Sequence, residues 1–79
     1  MAKFQGHKNW NHWNVSLWIN NDEGLCRMAR GLIHCYARCG GRNAAALAML
    51  ETLVNDGTPK TPDGAPYSRS SIRTAMVGM

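Results

Sequence analysis

Along most of this chain, apolar positions recur with the period of helices. The clearest case is residues 21–39. Leu25, Met28, Ala29, Leu32, Ile33 and Tyr36 follow the i, i+3, i+4, i+7 spacing of a buried stripe. Arg27, Arg30, His34 and Arg38 recur at similar spacing. At about 100° per residue they fall on the opposite side. The pattern predicts one amphipathic main helix over 21–39, with one face toward a core and the other a basic ridge. Its ends are marked. Asn20 or Asn21 suits the N-cap, and Asp22 and Glu23 put negative charge in the first turn, where the helix dipole favours it. Glu23 and Arg27 make an i, i+4 pair, and Gly40-Gly41 supplies a left-handed C-cap.

Residues 10–19 read two ways. Trp13, Val15, Leu17 and Ile19 alternate as in a strand, whereas Trp10, Trp13, Leu17 and Trp18 share one side of a helix. A lone strand would leave its backbone groups unpaired, so a short helix is preferred. Asn9 or Asn11 would cap it, and Asn20 or Asn21 would end it. Asn43 is placed to cap a further helix over 43–55, with Ala46, Leu47, Leu50, Leu53 and Val54 inward. Glu51, Thr52 and Asn55 fall outside. The connection Gly40-Gly41-Arg42 implies an antiparallel hairpin with the main helix. Asp56-Gly57 ends the helix, and residues 56–67 are turn chemistry. Thr61-Pro62-Asp63-Gly64 fits a type I turn, with room for two very short strands beside it. Ser68 or Ser70 then caps a last helix over 68–78, with Ile72, Ala75, Met76 and Met79 inward. Residues 1–9 read as a polar tail whose Phe4 can tuck against the core. The expectation is a single all-α domain over 1–79. It is a small bundle of three to four short helices with a turn or tiny hairpin before the last.

Size sharpens this picture. A chain of 79 residues buries only roughly 60% of its unfolded surface, so its core is small. Its three tryptophans are expected to be a major part of that core. Trp10, at the start of its segment, is the candidate for an exposed interface anchor. The formal charge of +4 argues against a mimic of DNA and favours an anionic partner. Three cysteines cannot all pair within the chain, which points to free thiols in a reducing cytoplasm. With no signal-peptide pattern and no apolar run of bilayer length, an intracellular protein without membrane contact is expected.

Candidate chemistry is sparse. Cys26, His34, Cys35, Cys39 and His12 raise the question of zinc, but no Cys-x-x-Cys pair exists. Cys26 and Cys35 are nine residues apart, about 180° around the main helix, and cannot meet at one ion. No metal and no cofactor are expected. His34 and Cys35 invite a base and nucleophile, yet neighbours on a helix diverge by about 100°. No Gly-rich phosphate loop follows a strand. The chain is therefore not expected to be an enzyme. The ridge of Arg27, Arg30, His34 and Arg38, extended by Arg42, reads either as a solvated face or as a docking surface for phosphates or an acidic protein patch.

Two resemblances add to this reading. The run Trp13-Asn14-Val15-Ser16-Leu17-Trp18-Ile19-Asn20-Asn21-Asp22-Glu23-Gly24-Leu25 resembles a recurring segment of short, mostly uncharacterised phage-encoded proteins. In those, Tyr commonly stands where this chain has Cys26. The likeness extends over nearly the whole chain. It implies a phage or mobile-element origin, where small accessory proteins include many inhibitors of host systems, anti-CRISPR proteins among them. Separately, Gly57-Thr58-Pro59-Lys60-Thr61-Pro62-Asp63-Gly64-Ala65-Pro66-Tyr67-Ser68-Arg69-Ser70-Ser71-Ile72-Arg73 looks like the helix–turn–helix-like segment of large serine recombinases. There a Gly, a Thr-Pro, a Gly, an aromatic-Ser pair and a Val-Arg follow in that order. This chain departs from it by an insertion at Lys60 and by Tyr67 for the usual Trp. That resemblance implies that Arg69, Ser70 and Arg73 face DNA.

The leading expectation is a phage-type accessory inhibitor acting in the host cytoplasm. It would block a host defence protein or ribonucleoprotein complex by stoichiometric binding through Arg27, Arg30, His34, Arg38 and Trp10. The alternative is a small DNA-binding regulator using Arg69, Ser70 and Arg73. A third is a structural or virion-associated protein.

Overall fold

The computed structural model describes residues 9–77 and residue 79. The tail expected over 1–9, Phe4 included, lies outside these residues apart from Asn9. The chain is all-α, with α1 (Trp10–Asn21), α2 (Glu23–Cys35), α3 (Gly41–Asn55) and α4 (Arg69–Ala75). Among the described residues there is no strand, and Lys60 and Pro66 form an isolated antiparallel bridge. Each helix packs on two others: α1 on α2 and α4, and α3 on α2 and α4. The helices thus close a ring in chain order.

Residues 10–19 form the preferred helix, and Asn9 caps it by accepting the His12 N–H at 3.0 Å. The helix ends at Asn21, one of the two residues expected to end it, but neither Asn20 nor Asn21 caps the next helix. Instead their side-chain amides donate back to the Ser16 and Leu17 carbonyls, both at 2.8 Å, covering acceptors in the last turns of α1. Asp22 does both jobs. Its backbone N–H closes α1 on the Trp18 carbonyl at 2.8 Å. Its Oδ1 accepts the N–H groups of Gly24 and Leu25 at 2.9 and 3.2 Å, starting α2.

The main helix is shorter than its apolar pattern predicts. It stops at Cys35, and residues 36–40 are turns, so Arg38 and Cys39 lie beyond it. Gly40 and Gly41 do adopt positive φ, 94° and 60°, but they lead into α3 rather than cap α2. Gly40 is required there. A Cβ would come within 2.7 Å of the Ala44 Cβ. Asn43 is consequently inside α3 and not its cap. Its Oδ1 accepts from the Arg69 guanidinium at 3.0 Å. The last helix is capped by Ser68 in a reciprocal capping box with Ser71, and it ends at Ala75. Arg42 is drawn away from the expected ridge. Its guanidinium donates to the carbonyls of Met76 and Met79 at 3.2 and 3.1 Å, fixing the chain beyond α4.

The core departs most from expectation. It consists of Val15, Ile19, Ala29, Ala45, Ala46, Met49, Leu53, Ala65, Tyr67, Ile72, Ala75 and Met76. None of the three tryptophans is fully buried. α1 turns His12, Asn14, Val15 and Ile19 inward, which leaves Trp10, Trp13 and Trp18 on its partly or fully exposed sides. On α3 the buried face is Ala45, Ala46, Met49 and Leu53, while Leu47 and Val54 point outward. Ile72, Ala75 and Met76 are buried as expected, and Met79 packs partly against the core.

Candidate functional site

α2 carries the basic face. Ala29 is buried, and Leu25, Met28, Leu32, Ile33 and Tyr36 pack partly against the core. Arg27, Arg30 and His34, at i, i+3 and i+7, are all exposed on the outer side. Arg27 pairs with Glu23 one turn earlier, with both side chains largely in water. Such a pair contributes on the order of 0.5 kcal/mol. Arg30 and His34 have no hydrogen bond or ion pair among the described residues, and neither has Arg38, exposed in the turn that follows. Asn20, Glu23, Cys26, Arg27 and Arg30 line an open groove of about 460 Å³ at the start of α2. Trp10 is 38% exposed at the first position of α1.

The residues proposed to face DNA are placed differently from one another. Arg69 reaches back to Asn43 on α3. The Ser70 hydroxyl lies 3.4 Å from the Nε2 of buried His12, whose Nδ1 is 3.4 Å from the Thr74 hydroxyl. The Thr74 hydroxyl also donates to the Ser70 carbonyl at 2.9 Å. Arg73 is exposed and has no partner among the described residues.

Cys26 is half-buried, and Cys35 and Cys39 are exposed free thiols. No group of three or more potential metal ligands occurs among the described residues. His12, the fifth candidate ligand, is buried between α1 and α4, away from the solvent-facing His34 and Cys35.

A polar cluster not anticipated from sequence joins α1 to the loop before α4. Asn14 Nδ2 and Trp18 Nε1 both donate to Asp63 Oδ2 at 2.9 Å. Thr61 Oγ1 donates to Asn14 Oδ1 at 2.6 Å and accepts the Ala65 N–H at 3.0 Å. The expected turn is present, with the Gly64 N–H on the Thr61 carbonyl at 2.8 Å. Donation by Asn14, then by Trp18, holds the Asp63 carboxyl below its usual range. Beside this cluster is a cavity of about 370 Å³ with walls from Trp18, Leu25, Leu53 and Pro62. Tyr67 lines it, its phenol pushed above the usual range by burial and then by the Asp22 carboxylate. The signal for the cluster was available: Asn14 and Trp18 are i, i+4 on one helix.

Among the described residues, no helix is long and apolar enough to cross a membrane. No curated protein and no solved structure matches the chain. A family profile described as a family of unknown function, DUF7249, matches residues 1–79, and the chain belongs to that family.

Proposed function

We propose that this DUF7249 protein is a phage-type accessory inhibitor that binds an acidic surface of a host defence protein or ribonucleoprotein complex, in the manner of anti-CRISPR proteins. The observation that carries the reading is the outer face of α2. Arg30 and His34 on that face, and Arg38 in the turn after it, stand in solvent with no protein partner among the described residues, next to Arg27. Arginine exposed along a rigid helix is a ready contact group for carboxylates and phosphates. The net charge of +4 adds long-range attraction to an anionic partner. The likeness of residues 13–25 to phage proteins supplies the biological setting, with the host cytoplasm as the place of action. No catalytic step is part of the proposal.

The test is phage plaquing on bacteria that carry an active defence system against that phage. Expression of the protein should restore plaquing. Changing Arg27, Arg30 and Arg38 together to Glu should abolish the rescue while the circular dichroism spectrum stays helical. Rescue that survives the triple change would remove α2 as the contact surface. The DNA-binding alternative draws on exposed Arg73. It requires nuclease-sensitive retention of nucleic acid that weakens steeply with salt and is lost with Arg69→Glu and Arg73→Glu.

A further inference from the structure

We propose that the cavity between the α1–α2 corner, the end of α3 and the loop before α4 is a binding site for a small, uncharged aromatic molecule bearing a hydrogen-bonding hydroxyl or carbonyl. This site is separate from the basic face of α2. Its volume of about 370 Å³ is enough for a one- or two-ring molecule. Trp18, Leu25, Leu53 and Pro62 give it apolar and aromatic walls suited to a flat ring.

Polar groups set the chemistry. Tyr67 is only 8% exposed, and its hydroxyl has no hydrogen-bond partner among the described residues. Because Tyr67 lines the cavity, its hydroxyl proton is open to an acceptor on a bound molecule. Asp22 also lines the cavity, and the backbone N–H groups of Gly24 and Leu25 both use its Oδ1, which leaves Oδ2 to accept. The Thr58 hydroxyl already donates to the Leu53 carbonyl at 3.1 Å and can only accept further. Trp18 stands in the wall with its N–H committed to Asp63, so its ring is held in place. A cationic ligand would meet Lys60, and an anionic one Asp22, since both line the cavity. A neutral ring with one oxygen edge meets neither penalty and takes the Tyr67 proton.

The experiment titrates the full chain with p-cresol and with toluene, and follows amide and indole N–H signals by two-dimensional NMR. p-Cresol should saturate at millimolar concentration and shift the Trp18 indole and the Thr58, Lys60 and Tyr67 amides. Toluene, lacking the oxygen, should bind about fivefold more weakly, the worth of one hydrogen bond. Tyr67→Phe should bring p-cresol down to the affinity of toluene. The Arg27, Arg30, Arg38 to Glu variant should bind p-cresol as the unchanged protein does, so this site and the α2 face stand or fall separately. No saturation below about 10 mM would overturn the proposal, at the efficiency expected of so small a ligand. Equal affinity for the two probes, or shifts centred elsewhere, would overturn it too. The comparison of probes on the unchanged protein decides even where Tyr67→Phe folds poorly.

Discussion

Asn14 donates to Asp63 at 2.9 Å across 49 residues of chain, and Trp18, one helical turn on, donates to the same oxygen. The contact ties α1 to the tip of the loop that delivers α4. It works best when Asp63 is ionised, because a carboxylate accepts more strongly than a carboxylic acid. The carboxyl sits below its ordinary value of 3.8 in the fold. A lowered folded value means that its contribution is complete above the unfolded value and lost as pH falls through the folded one. Asp63→Asn should therefore lower the thermal midpoint at pH 7. The gap to the unchanged protein should close as pH falls progressively below 3.8. A gap that stays constant over that range would show that the charge of Asp63 contributes nothing.

Asp22 is a hinge residue in one chemical sense: the same residue ends α1 and starts α2. Removing its side chain leaves the Gly24 and Leu25 N–H groups without their acceptor. Asp22→Ala should cost about 1 kcal/mol, read as a lower urea midpoint at unchanged slope. Asp22→Asn should lose less than half of that, since asparagine caps nearly as well. Equal losses for both would point to charge rather than capping.

Helix existence was legible over 21–39, 43–55 and 68–78 from apolar residues at helical spacing, whereas residues 10–19 fitted a strand equally and were assigned by the cost of an unpaired strand. The four helices and the capping roles of Asn9 and Ser68 follow from local chemistry. What was not legible is which side of α1 and α3 turns inward. α1 buries His12 and Asn14 beside Val15 and Ile19, so two polar residues occupy core positions that an apolar pattern assigns to tryptophan. Their reasons, Ser70 and Thr74 for His12 and Thr61 and Asp63 for Asn14, lie 47 or more residues away. The same holds for the ridge. Arg27, Arg30 and His34 could be placed from local spacing, but the loss of Arg42 to the Met76 and Met79 carbonyls depends on the fold.

Gly40 tests the turn between α2 and α3. Its φ of 94° already disfavours any L side chain, and a Cβ would overlap Ala44 at 2.7 Å. Gly40→Ala should destabilise by about 2 kcal/mol or more, with the backbone strain alone worth roughly 1–2 kcal/mol. Gly31, inside α2 with nothing within 4 Å of an added Cβ, supplies the control. Gly31→Ala should stabilise by about 0.5–1 kcal/mol through helix propensity. Opposite signs in urea unfolding are expected from the same chemical change. Matching signs would contradict the turn geometry at 40 or the helix at 31.

The rotation of α3 can be checked by substitutions that the sequence pattern and the structure rank in opposite order. The apolar pattern puts Leu47 and Val54 inward, whereas the structure leaves them 46% and 51% exposed and buries Met49 completely. Met49→Ala should open a cavity among Ala45, Leu53 and their neighbours and cost about 2–4 kcal/mol. Val54→Ala on the exposed side should stay within about 0.5 kcal/mol of the unchanged protein, because its methyl groups already face water and alanine is the better helix former. Leu47→Gln should behave likewise. Urea unfolding of the three variants gives the rotation directly. A large loss at Leu47 or Val54 with a small one at Met49 would mean that α3 presents its other side to the core, and the partnering of Asn43 with Arg69 would then have to change as well.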